Sequence, residues 1–343
     1  MPQLNPQIDS MRIIRCGLGA ETYCLEMSSV DSVGEAALVE RFASPTETGQ
    51  VGTLLSNDES VPVFSLAHRL ARPQTHVNAR EHLVLLKTSL GRWALLVESV
   101  SRVLQIRLDQ VHRVPDVVLD QQCKLFKGVI VFPADQQQAE TPSAFGEARI
   151  RGGREVAEIS LLLSPERLHP DARPLEVAHE EQAEEVAAPT PGKPSKAKRR
   201  GQVMLLSVTD EPIEKRPCSF GLSLSQILEV VSSLTVIPVP LAPGFVQGLA
   251  CWRDQPVPVL DLAARFGFKS HIHQQRLVIA RARTDGDFVA FPVEAAIRSQ
   301  RLPMTSIPCP VPLGVREDLM CGAFELESET LMIPDLRRVL TSI

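Results

Sequence analysis

Val257-Pro258-Val259-Leu260-Asp261-Leu262-Ala263-Ala264-Arg265 and Val61-Pro62-Val63-Phe64-Ser65-Leu66-Ala67-His68-Arg69 agree at six of nine positions and lie 196 residues apart. The same offset carries Gly52 onto Gly248, and it carries Ala94, Val97 and Glu98 onto Ala290, Val293 and Glu294. One further residue of shift relates Val30 and Val33 to Ile227 and Val230. Four blocks in one order at nearly one spacing mark an internal duplication, so the chain carries two copies of one domain.

Around these blocks the second copy reads as short, β-branched strands: Val203 to Val208, Ser219 to Leu224, Gly248 to Trp252, Val257 to Leu260, Leu277 to Ala280, Phe288 to Pro292 and Leu331 to Ile333. Prolines before or inside several of them suit edges and barrel corners. Seven or more short strands per copy predict small closed barrels, which leave no exposed edge. Two helical signals interrupt the strands. Asp261 to Phe266 starts on a capping carboxylate and stops at Gly267. Ser225 to Val230 reads as a second helix, which would set Ile227 and Val230 one turn apart on one face. Core packing is the competing reading of these two residues, and the stronger one for Val230.

Composition bounds the rest. The 343 residues carry 36 Lys plus Arg against 41 Asp plus Glu, 44% hydrophobic and 22% charged residues, and 27 prolines. This is the balance of folded, mostly β domains rich in turns rather than of a disordered chain. No apolar run approaches the roughly 18 residues of a spanning helix, and the start lacks a basic region followed by an apolar stretch. A cytoplasmic protein without membrane insertion is therefore expected. The net charge of -5 offers no global attraction to nucleic acid, and only 4% aromatic residues supply few stacking platforms. Seven cysteines without a Cys-x-x-Cys pair fit neither a disulfide framework nor a zinc site and read as reduced core residues.

The duplication divides the chain into a first domain at 1–172, a charged, proline-rich linker at 173–202 and a second domain at 203–343, with an inserted loop at about 134–155 in the first. Lys196, Lys198, Arg199 and Arg200 close the linker. A solvated tether explains them better than a phosphate clamp does.

The second copy resembles the CheW-like domain of bacterial chemotaxis coupling proteins. The resemblance is carried by Phe220-Gly221-Leu222, Ile227-Leu228-Glu229-Val230, Ile237-Pro238-Val239-Pro240, Pro243-Gly244-Phe245-Val246-Gln247-Gly248-Leu249, Cys251-Trp252-Arg253-Asp254 and Pro256-Val257-Pro258-Val259-Leu260-Asp261-Leu262. It implies two interlocked five-stranded SH3-like barrels per copy with a groove between them. It also implies a non-catalytic scaffold that joins the cytoplasmic tip of a chemoreceptor to the regulatory domain of a CheA-type histidine kinase, with other CheW-like domains as further partners. The contact residues it points to are Ile227, Glu229, Val230, Gly248, Trp252, Arg253, Asp254 and Pro258, with Val30, Val33, Gly52 and Asn57 as first-copy counterparts. The first copy looks like a degenerate member: it keeps Tyr23-Cys24-Leu25 and Val61-Pro62-Val63, but carries Asn57 for Arg253 and Ser65 for Asp261. The second copy departs too, with Cys251-Trp252 and Asp254 where the family's Asn-Leu-Arg-Gly turn has Asn-Leu and glycine. Trp252 beside Arg253 reads equally as an interface anchor and as a Trp tucked over a barrel mouth.

Enzyme signatures are missing: there is no nucleophile elbow, phosphate-binding Gly-Lys loop or His-Glu-x-x-His pair. His271 and His273 lack a third ligand nearby and read as a solvated hairpin. Asp261 and Asp335 precede helix starts, which capping explains. No catalytic residue, metal or cofactor is expected. The remaining readings are an adaptor that positions chemosensory arrays or serves a motility or surface-sensing pathway and, more remotely, a nucleic-acid-binding pair of barrels.

Overall fold

Alternating β-branched residues build four hydrogen-bonded sheets, two per copy, and the second copy repeats both strand orders of the first. In the computed structural model the described residues are 9–56, 58–72, 81–119, 124–133, 158–172, 202–206, 218–232, 234–268, 276–282, 287–293, 298–301, 307–311, 315–326 and 329–341. The inserted loop, the linker up to residue 201, Asn57, His271 and His273 lie outside them.

In the first copy one sheet is formed by β1 (Ser10–Leu18), β2 (Glu21–Glu26), β9 (Ser99–Arg107), β10 (Val111–His112), β11 (Phe126–Phe132) and β12 (Glu158–Leu163), in the order β10-β11-β12-β2-β1-β9. The other contains β3 (Val30–Glu35), β4 (Val39–Arg41), β5 (Gln50–Ser56), β6 (Glu59–Ser65), β7 (His82–Thr88) and β8 (Gly91–Val97), in the order β3-β7-β8-β6-β5-β4. The end strands of each sheet are neighbours in the chain. A 3-10 turn at Ala36–Leu38 joins β3 to β4, and one at Leu108–Gln110 joins β9 to β10. Each sheet is thus five strands, one of them bent at a turn so that it closes the barrel, which satisfies the edge groups an open sheet would expose. The strands of the second barrel are inserted between β2 and β9 of the first, so the two interlock. We call them the outer barrel and the inner barrel.

The second copy repeats this plan. Its outer barrel holds β13 (Gln202–Leu206), β14 (Cys218–Ser223), β21 (Arg298–Arg301), β22 (Ile307–Cys309), β23 (Met320–Glu325) and β24 (Thr330–Pro334). Its inner barrel holds β15 (Ile227–Val231), β16 (Val236–Ile237), β17 (Val246–Trp252), β18 (Gln255–Leu260), β19 (Arg276–Arg281) and β20 (Phe288–Val293). Each barrel has its own small apolar interior, such as Leu54, Val61, Val63, Leu83 and Leu85 in the first inner barrel. A much larger cluster fills the space between barrels and runs without a break through both copies. Burial of this kind, at about 25 cal/mol per Å² of apolar surface, is the main source of stability.

Short helices cap the barrels: α1 (Leu66–Arg69), α2 (Pro165–Leu168), α3 (Leu262–Phe266) and α4 (Leu336–Thr341). The Asp261 carboxylate accepts the Ala264 amide at 3.0 Å and Gly267 ends α3 at φ 93°, as its sequence predicts. Asp335 likewise accepts the Arg337 amide at 3.0 Å ahead of α4. The first copy keeps its cap despite losing the carboxylate, because the Ser65 hydroxyl accepts from His68.

One expectation is overturned. Residues 225–230 form no helix: Ile227–Val231 is a strand paired antiparallel with β19. Among Ile227, Leu228, Val230 and Val231 three are β-branched, and a neighbouring strand with a free edge outweighs weak helical spacing.

The copies pack on each other through unlike barrels. The first copy's β11 and β12 lie beside the second copy's β18 and β17, and the 3-10 turn at Asp116–Val118 sits against β17 and α4.

Candidate functional site

The second inner barrel presents the expected contact residues on two adjoining features, the strand β15 and the hairpin turn between β17 and β18. In β15 the pairing slips between Ile227, opposite Ala280, and Glu229, opposite Ile279. Two residues therefore span one on the partner strand, which is a β-bulge. Its effect is to set Ile227 and Val230, three apart, on the same face, with Ala280 and Val278 as their partners. A helical turn would have done the same, so the shared face is found, by another route. Ile227 packs on the inter-barrel core, while Val230 is 37% exposed. Val230 is therefore surface rather than core.

At the turn, Trp252 pairs with Gln255, leaving Arg253 and Asp254 as a two-residue loop at φ 51° and 58°. Two consecutive left-handed residues define the tight turn whose twist matches a hairpin, and an Asp tolerates this conformation better than most non-glycine residues. Trp252 is 7% exposed and lies in the barrel interior, with its ring edge-on to Phe288 at 5.3 Å. It closes the barrel mouth rather than projecting as an anchor. Its indole Nε1 donates to Glu229 Oε2 at 3.0 Å, and Arg253 Nη2 donates to the same oxygen at 3.0 Å. The Arg253 guanidinium also stacks 4.5 Å above the Trp252 ring. One carboxylate thus fixes an otherwise mobile arginine against a rigid aromatic lid, with most of the arginine facing solvent.

The two remaining second-copy residues work from inside. Gly248 is buried at φ 149°, and a Cβ there would stand 2.1 Å from the Ile237 carbonyl oxygen, so only glycine lets β16 approach β17. Pro258 is buried opposite Leu249. Both hold the hairpin in place and offer no free surface.

The first copy keeps the frame and changes the chemistry. Its β3 has the same bulge, between Val30 and Ser32, with Val33 exposed. Gly52 keeps the close approach, with a Cβ position 2.4 Å from the Glu40 carbonyl oxygen. The register places Ser56 where the second copy has Trp252. In place of the aromatic lid stands an ionic one, which sequence reasoning missed: Arg92 donates to Asp31 at 2.8 Å and to Glu59 at 3.3 Å. These pairs sit 61 and 33 residues apart, and only the strand register brings them together.

Catalytic chemistry finds no support in the buried nucleophiles. Burial pushes the Cys16 thiol up to about 12 and the Cys24 thiol to about 11, which keeps both protonated near neutral pH. No group of three or more metal-ligating side chains forms among the described residues. No helix among them is long and apolar enough to cross a membrane.

The model of the CheW-like domain matches residues 12–169 and again 202–343. The chain belongs to the CheW-like family. The two matched segments coincide with the two barrel pairs, so the tandem CheW-like organisation read from the repeat is confirmed. No curated protein matches the sequence. Among solved structures, the crystal structure of the scaffolding protein TtCheW from Thermoanaerobacter tengcongensis is similar at 14% identity and a TM-score of 0.35, over 48% of this chain and 97% of that chain. CheW-like domains support a scaffolding role in chemotaxis, and the family is a non-catalytic one.

Proposed function

We propose that this tandem CheW-like protein couples chemoreceptors to a CheA-type histidine kinase, and that the second copy makes the contact through Ile227, Glu229, Val230, Arg253 and Asp254. The observation that carries this is the ledge at the mouth of the inner barrel. An exposed valine stands on a bulged strand, and the residue before it, Glu229, clamps an arginine against Trp252. Such a preformed arginine suits a protein partner, because little side-chain entropy is lost on docking. Gly248, Trp252 and Pro258 act as its supports, and a kinase regulatory domain or a receptor tip are the two partners that fit.

Calorimetry of the full chain with a cognate kinase regulatory domain tests this. Arg253→Glu is expected to weaken binding about tenfold or more by charge reversal at the contact. Unchanged affinity would remove this surface from the coupling role.

The ionic mouth of the first copy favours a different partner there. A second reading follows, in which the first copy works as an adaptor that positions chemosensory arrays or serves a motility or surface-sensing pathway. Recovery of the same kinase or receptor domain by a chain carrying Arg253→Glu, but not after further mutation of Val33, would show instead that both copies bind one partner.

A further inference from the structure

The joint between the two barrels differs from one copy to the other. In both, the last strand of the outer barrel runs into a short helix, α2 in the first copy and α4 in the second. The Ser164 amide donates to the Leu125 carbonyl as the Asp335 amide donates to the Leu319 carbonyl, which aligns the two helices. Glu166 then answers to Arg337, Leu168 to Val339 and His169 to Leu340.

In the first copy three side-chain ties join α2 to the inner barrel. Arg69 Nε of α1 donates to the Leu168 carbonyl oxygen at 2.7 Å. In the turn after β7, the Ser89 amide and hydroxyl donate to the two Glu166 carboxylate oxygens at 2.9 and 2.6 Å. His169 stands edge-on to Phe64 of β6 and Trp93 of β8, each ring centroid 5.5 Å away. In the second copy Arg337 is exposed and Leu340 packs on the apolar core, with Leu260 and Val289 in place of Phe64 and Trp93. A titratable ring at the centre of the joint therefore belongs to the first copy alone.

His169 fits its place in one protonation state. Its Nδ1 accepts the Asp171 amide at 3.2 Å, so the ring is neutral with its proton on Nε2. A second proton would turn that acceptor into a donor facing the amide, and would leave a cation between two aromatic rings at a residue only 7% exposed. The Asp171 carboxylate, 3.8 Å from Nδ1, can take the new proton once the turn after α2 rearranges. Burial is the largest influence and disfavours the charged ring; Asp171 and Glu166 favour it, and Arg69 of α1 opposes it. β6 and β8 contribute the uncharged rings of Phe64 and Trp93.

We infer that α2 is a proton-operated latch: with His169 neutral it fastens the outer barrel of the first copy to the inner one, and with His169 charged it lets go. The Arg69 and Ser89 ties that remain are hydrogen bonds that water can replace at little cost. Mild acid thus frees the two barrels of the first copy to move against each other, while the apolar joint of the second stays closed. The latch uses no residue assigned to the signalling contact and is independent of that assignment.

Hydrogen exchange of the full chain, read by mass spectrometry and corrected for intrinsic rates, tests it. Amides of residues 164–172 are expected to lose protection between about pH 7.5 and about pH 5.5, while those of 335–341 keep theirs. His169→Asn keeps an acceptor for the Asp171 amide but cannot take the proton, and is expected to hold α2 equally protected at both pH values. Should that variant disturb the joint, the wild-type ring decides the matter: its NMR signals are expected to titrate below 6.5, in step with the loss of protection. Equal protection of α2 at both pH values, an equal loss in α4, a pH response retained by a folded His169→Asn, or a His169 midpoint at or above 6.5 would each overturn the inference.

Discussion

The mouths of the two inner barrels are built on one backbone and closed by opposite chemistry. In the second copy Trp252 lies on Phe288 and is held by Glu229, with Arg253 laid over it. In the first, Arg92 bridges Asp31 and Glu59 in the open. The bulge, the close-approach glycine and the hairpin register are common to both. What the fold requires is therefore carried by backbone geometry, and the lid is free to diverge. An aromatic lid contributes to stability and pre-sets an arginine, whereas an exposed ion pair contributes little of either.

The largest expected effect separates the lids directly. Trp252→Ala should destabilise the second domain by about 3–5 kcal/mol, the usual cost of emptying a buried aromatic site, whereas Arg92→Ala should cost about 1 kcal/mol or less. Guanidinium denaturation followed by circular dichroism distinguishes them, and equal effects would break the contrast. Next, Gly248→Ala should cost roughly 2–4 kcal/mol, combining left-handed strain with overpacking. Gly52→Ala should cost less, because a Cβ at Gly52 meets the same kind of carbonyl without the left-handed backbone. Thermal melts of the two variants check the order.

A smaller effect is confined to the first copy. His169 is buried edge-on against Phe64 and Trp93, and its Nδ1 accepts the Asp171 amide at 3.2 Å. Burial holds it below its ordinary value of 6.5, with Asp171 opposing. The unfolded chain then binds the extra proton, so stability is level above pH 6.5 and declines as pH falls below it. Melting midpoints between pH 8 and pH 5 should show that decline, and His169→Asn should flatten part of it, leaving the part due to His112, which burial also lowers. The smallest effect is that of Glu229→Gln, which keeps an acceptor for Trp252 but removes the charge that holds Arg253. Stability should change by less than about 1 kcal/mol. Partner affinity should fall, and that split would show the carboxylate to be a positioning group.

How far the sequence could be read follows from the range of each interaction. The duplication and the barrels were legible because Val61 to Arg69 and Val257 to Arg265 repeat a hairpin strand, a cap and a short helix within nine residues. The caps at Asp261 and Asp335 were legible for the same local reason. Residues 225–230 misled because a bulge gives Ile227 and Val230 the three-residue spacing of a helix inside a strand. Trp252 stayed ambiguous until its distant partners Glu229 and Phe288 were in place.

The interlocking of the barrels also orders their assembly in time. The first inner barrel is one unbroken stretch of chain from Val30 to Val97, so it can close as soon as that stretch has been synthesised. The outer barrel is split around it, and its closing parallel pair joins Tyr23 to Leu161. Closing so long a loop is slow unless something shortens it. The inner barrel, once formed, replaces a free loop between β2 and β9 by a folded unit and so shortens that closure. Each copy is expected to mature from the inside outward.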